Sequence, residues 1–71
     1  MAKYLVILKV VIAEDNEPDT ERTLEYNINC DPDKLSKEVA SRKARLQEKG
    51  DAIVNNTNAI CNVTVVQVLP L

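Results

Sequence analysis

The sequence predicts an α+β domain in the order β-β-α-β, with one helix packed on one face of a three-stranded sheet in the order 2-1-3. Three observations carry this. Residues 3–13 and 60–69 are rich in β-branched residues and apolar at both parities, as strands covered on two faces are. Residues 22–30 alternate apolar and polar, the pattern of a strand with one wet face. Residues 31–49 open on Asp31-Pro32-Asp33 and then repeat apolar side chains at helical spacing.

In the first strand Tyr4, Val6, Leu8, Val10 and Ile12 share one face, and Leu5, Ile7 and Val11 share the other with Lys9 among them. The acidic stretch from Glu14 to Glu21, with Asn16 and Pro18, cannot bury its charges and reads as a solvated connection. The second strand turns Leu24, Tyr26, Ile28 and Cys30 inward and Thr23, Glu25, Asn27 and Asn29 outward. At the helix start Asp31 is expected to accept from free amides, Pro32 fits the first helical position, and Asp33 complements the positive end of the dipole. Leu35, Val39 and Leu46 form the apolar stripe, and Ile53 falls back onto it. Gly50 is a natural helix end, yet the position of Ile53 argues for a helix continuing to about Val54 with the glycine inside it. Asn55 to Asn58 end the helix in either case, and Pro70 closes the third strand.

The chain has 71 residues, room for one domain with a small core. It is 45% hydrophobic and 28% charged with one glycine, a globular composition. Cys30 and Cys61 are too few for a disulfide framework and read as buried thiols. No segment is apolar over the ~20 residues that a membrane helix needs, and Lys9 and Glu14-Asp15 spoil a signal peptide. A cytoplasmic protein is expected, in which the Asn-x-Thr triplets at Asn55 and Asn62 are chance matches. Net charge is −2, but it is segregated. Residues 1–33 hold three basic and eight acidic residues, a net −5, whereas residues 34–49 hold six basic and two acidic residues, a net +4.

A helix whose stripe is so narrow covers one face of the sheet only. Strand one flanked on both sides fits its two-sided apolar character, and a crossover over it places strand three on its far side, antiparallel to it. With Tyr4, Val6 and Leu8 beneath the helix, the other face is expected to keep Leu5, Ile7, Val11, Cys61, Val63 and Val65. Apolar patches of that extent mark interfaces. Leu5, Ile7, Val11, Val63 and Val65 are therefore the expected self-association residues, through the sheet face or the edge of strand three, and a homodimer is the expected assembly. The competing reading folds the segments 14–21 and 50–59 across that face.

The other motifs are weaker. Glu14, Asp15, Glu17, Asp19 and Glu21 are the expected partner-binding acids, because charge steers encounter with a basic protein surface. They lack the ligand spacing and the glycine of a calcium loop, so no metal is expected. The basic helix face, with Lys34, Lys37, Arg45 and Lys49, can grip phosphates. It is interrupted by Glu38 and Glu48, which stand at the spacing of Lys34–Glu38 and Glu38–Arg42 ion pairs. With Tyr4 and Tyr26 as the only aromatic residues to stack bases, nucleic acid is not the expected partner. Without histidine, a Cys-x-x-Cys pair or a glycine-rich loop, neither catalysis nor a cofactor is expected.

The order of elements resembles that of small phage-encoded inhibitors of host enzymes, such as those that dock on RNA polymerase. The likeness is one of layout, and it implies an inhibitor or adaptor. The expected function is thus a non-catalytic protein-binding module acting through the acidic loop and an open sheet face. The alternatives are a homo-oligomeric structural protein and a weak nucleic-acid binder.

Overall fold

The computed structural model describes residues 2–71. They form β1 (Ala2–Ala13), β2 (Thr20–Cys30), a 3-10 turn (Pro32–Lys34), α1 (Leu35–Val54) and β3 (Ile60–Pro70). Both β2 and β3 pair antiparallel with β1, giving the expected order β2-β1-β3. The Cα envelope of 45 × 19 × 13 Å is a plate two layers thick, so an apolar side chain is either between sheet and helix or on an outer surface.

The core is the face of β1 that carries its even-numbered residues. Val6 and Leu8 are completely buried, and Ile28, Cys30, Cys61 and Val63 are nearly so. Leu35, Val39, Leu46 and Val54 of the helix close over them, with Tyr4, Tyr26 and Val68 at the periphery. Pairing with β2 runs without interruption from Ala2 opposite Cys30 to Ile12 opposite Thr20. Pairing with β3 places Ile12 opposite Cys61, Val10 opposite Val63 and Leu8 opposite Val65, then slips at Ile7, which faces Gln67. Val66 is the extra residue of this bulge. Because a strand's side chains alternate, one inserted residue exchanges the two faces, and Val68 rather than Gln67 continues the core side.

This register corrects the sequence reading of β3. Cys61, Val63 and Val65 lie beneath the helix, not on the outer face, so Val63 and Val65 are core residues rather than self-association residues. The outer members of β3 are Ile60, Asn62, Thr64, Gln67 and Leu69. Both thiols are free and buried, as expected. Burial pushes the Cys30 thiol up, Glu38, Asp31 and Asp33 push the same way, and Lys34 opposes them. Cys30 is accordingly a protonated core side chain at neutral pH.

The helix departs from the expectation in three ways. Asp31 makes no side-chain capping bond; its backbone carbonyl accepts from the Lys34 amide at 2.9 Å and closes the 3-10 turn, with Pro32 at its first position. The Lys34–Glu38 and Glu38–Arg42 pairs do not form among the described residues, whose one ion pair is Lys9–Glu21. Arg42 instead lies over the Tyr26 ring, 5.6 Å from its centroid, a contact of about the same worth as an exposed ion pair. Finally, the helix does run to Val54 with Gly50 inside it, but Ile53 is 73% exposed. The line of contact drifts along the helix onto Gln47, Gly50 and Val54, residues three and four apart. Gly50 is the buried residue of α1, directly above Cys61. Beyond it Asn56 takes the left-handed conformation (φ 66°), and Thr57 ends the helix by donating from both its amide and its hydroxyl to the Val54 carbonyl.

Gln47 joins the helix to the rim of the sheet. Its Nε2 donates to the Cys61 carbonyl (2.7 Å) and to Asp51 Oδ1 (2.9 Å), while its Oε1 accepts from the Val63 amide (3.0 Å). The side-chain amide bonds to the rim of β3 as a residue of a neighbouring parallel strand would. Gln47→Ala leaves a carbonyl and an amide without these partners and is expected to cost about 1–3 kcal/mol, read as a lower urea midpoint with an unchanged slope.

Candidate protein interface

The outer face of the sheet is not covered by any described element. The acidic turn after β1 and the turn after the helix sit side by side at one end of the sheet, where Glu14, Asp15 and Glu17 meet Thr57, Asn58 and Ala59. They do not fold across the face. Leu5, Ile7 and Val11 stay half-buried on it, as expected from β1. Opposite Leu5 stands Leu69, and the Leu71 amide donates to the Lys3 carbonyl at 2.9 Å, which extends the ladder by one residue. Leu71 is 71% exposed and Ile60, opposite Ala13, is 64% exposed. Apolar side chains therefore run along β1 and gather at the two ends of β3, whose middle outer positions are the polar Asn62, Thr64 and Gln67. Lys9, in the middle of β1, is held by Glu21 at 3.1 Å.

Glu14, Asp15, Glu17 and Asp19 are all exposed, in the turn and just before β2, and Asn16 at its tip is left-handed (φ 64°). Glu21 belongs to β2 and points to the outer face, so the five acids are not one cluster. No group of possible metal ligands gathers among the described residues. The basic residues of the helix are divided as well. Arg42, Arg45 and Lys49 stand on the β2 side, Lys43 on the β3 side, and Lys34 and Lys37 in the first turns.

The two rims of the sheet differ. The Leu71–Lys3 bond shows that odd-numbered residues of β1 turn their backbone groups toward β3, and hence even-numbered ones toward β2. On β3 the outward backbone groups belong to Cys61, Val63 and Val65 before the bulge and to Val68 and Pro70 after it. Gln47 occupies the first pair, Val66 kinks the strand, and Pro70 has no amide to offer, three recognised guards against edge pairing. On β2 the outward groups are those of Glu21, Thr23, Glu25, Asn27 and Asn29. No bulge, proline or covering side chain interrupts them. This asymmetry escaped the sequence reading, which assigned the free edge to strand three.

No described helix is long and apolar enough to cross a membrane. Comparison with known protein families, curated proteins and solved structures finds no match. The chain's own surfaces carry the functional argument.

Proposed function

We propose that this chain is a non-catalytic protein-binding module whose outer sheet face packs on a second copy. The supporting observation is the apolar set of Leu5, Ile7, Val11, Ile60, Leu69 and Leu71 on a face that no described element covers. Leaving such a set in water forgoes about 25 cal/mol for each Å² that association would bury. Lys9 enters the interface already paired with Glu21, and burying that solvated pair offsets part of the apolar gain. Face-to-face packing about a two-fold axis brings each set against its own copy, and the guarded rim of β3 makes edge pairing there the poorer solution. The acidic turn stays free at the end of the sheet, where it can steer a basic partner onto the module. An inhibitor or adaptor is the narrower role implied by the layout.

The test is sedimentation equilibrium at micromolar concentration. Wild type is expected to sediment as a dimer and Ile7→Lys as a folded monomer, because an unpaired charge inside an interface costs several kcal/mol. A wild-type monomer defeats the reading. So does an Ile7→Lys chain that is dimeric, or one that is unfolded, since the latter would place Ile7 in the monomer core.

A further inference from the structure

We infer that the free rim of β2 is a strand-acceptor site for an extended protein segment carrying acidic side chains on its helix-facing side. The site is separate from the outer face and does not depend on self-association there. Its first element is the run of five outward-turned residues from Glu21 to Asn29, beside a pairing with β1 that has no irregularity. An added strand bonds to such groups through its backbone, whatever its sequence. The second element is the trough between this strand and the helix. Because α1 leans toward β3, the sheet beneath it is incompletely roofed on the β2 side. There Val10, Ile12 and Leu24 form a floor, with Leu46 and Ile53 as the wall.

The third element is charge. The charged side chains that line this trough and its continuation over Tyr26 are Arg22, Arg42, Arg45 and Lys49, and no carboxylate is among the lining residues. A strand laid against β2 sets its helix-facing side chains beside Arg22, Leu24, Tyr26 and Ile28 in turn, within cross-strand distance. Acidic residues match the first and third of these positions, and apolar residues the second and fourth. On the other face it meets Thr23, Glu25, Asn27 and Asn29, which suit uncharged polar residues. A peptide fits better than a nucleic acid here, because the rim offers alternating amides and carbonyls and Arg42 already covers the one aromatic ring.

A fluorescein-labelled synthetic peptide of about nine residues, alternating threonine with an aspartate–valine series, is the probe, and its lysine–valine counterpart is the control. Fluorescence anisotropy at low salt is expected to show the aspartate peptide binding at least about tenfold more tightly than the lysine peptide. Thr23→Pro and Asn27→Pro each remove an outward amide that bonds nothing among the described residues, and either is expected to weaken binding about tenfold or more. Should these variants fail to fold, Arg22→Glu combined with Lys49→Glu decides instead: it is expected to abolish the preference for the aspartate peptide, and a folded double variant that keeps the preference overturns the inference. The Ile7→Lys variant is expected to bind the peptide as wild type does, which separates this site from the outer face. Equal affinity of wild type for both peptides, or binding of neither, overturns the inference. Folded proline variants that bind unchanged also overturn it, as does a folded Ile7→Lys chain that loses binding. Competition by oligo-dT that both proline variants preserve would mark a phosphate-binding surface and overturn it too.

Discussion

Leu8→Ala is expected to leave the protein barely stable, with a readily measured unfolded fraction at room temperature, whereas Leu5→Ala is expected to leave it firmly folded. Leu8 is completely buried in the central strand, between Leu24 and Val65, with the helix above. Truncating a leucine in such a place costs about 3–5 kcal/mol, from lost transfer energy and from a cavity that a strand paired on both sides cannot close. A domain of this size has a total stability on the order of 5 kcal/mol, so the loss consumes nearly all of it. Leu5 lies three positions away on the same strand but on the outer face, where it is half-buried, and its truncation is expected to cost about 1 kcal/mol. Urea unfolding followed by circular dichroism measures both. Equal losses would show that the two faces of β1 are buried alike and that the helix does not define a single core.

The second expectation concerns sign. By helix propensity alone, Gly50→Ala should stabilise the protein by about 1 kcal/mol. The structure requires the opposite, because a Cβ on Gly50 would overlap the Cys61 Sγ and come to 3.3 Å from its Cβ. Separating helix from strand, or forcing the thiol from its place in a filled core, costs about 1–3 kcal/mol, so a net loss is expected. The clash has a named partner and can be tested by a double-mutant cycle. In a Cys61→Ala background, which removes the sulfur, Gly50→Ala is expected to be neutral or stabilising. A loss of the same size in both backgrounds would mean that the glycine serves something other than this close approach.

The fold was legible because each element announces itself locally. Two strands apolar at both parities, one alternating strand and the Asp31-Pro32-Asp33 start leave few arrangements, and the central place of β1 follows from its two-sided character. The outer face was only half legible. Leu5, Ile7 and Val11 could be assigned from β1, but β3 offers two apolar sets, and the choice between them depends on a bulge at Val66 that no local pattern reveals. Gln47 reads in sequence as one more solvated helix residue. Its task depends on a helix lying close enough to β3 to reach the strand's rim, and the signal for that closeness was Gly50, a glycine kept inside a helix. That β2 stands at an edge followed from the order 2-1-3, but that its rim is open could not be read, since openness is defined by what fails to cover it.

The place of β1 also bears on how the chain assembles. Its ladder with β2 closes through the short turn at Asn16, but its other ladder sets Tyr4 against Pro70, nearly the whole sequence apart. During synthesis the hairpin and then the helix can form while one flank of β1 still waits for its mate. Until residues 60–70 emerge, the most apolar strand of the protein is itself an open edge, the kind of surface that recruits strands from other chains. The slow, sequence-distant pairing of β1 with β3 is therefore the step on which productive folding competes with aggregation.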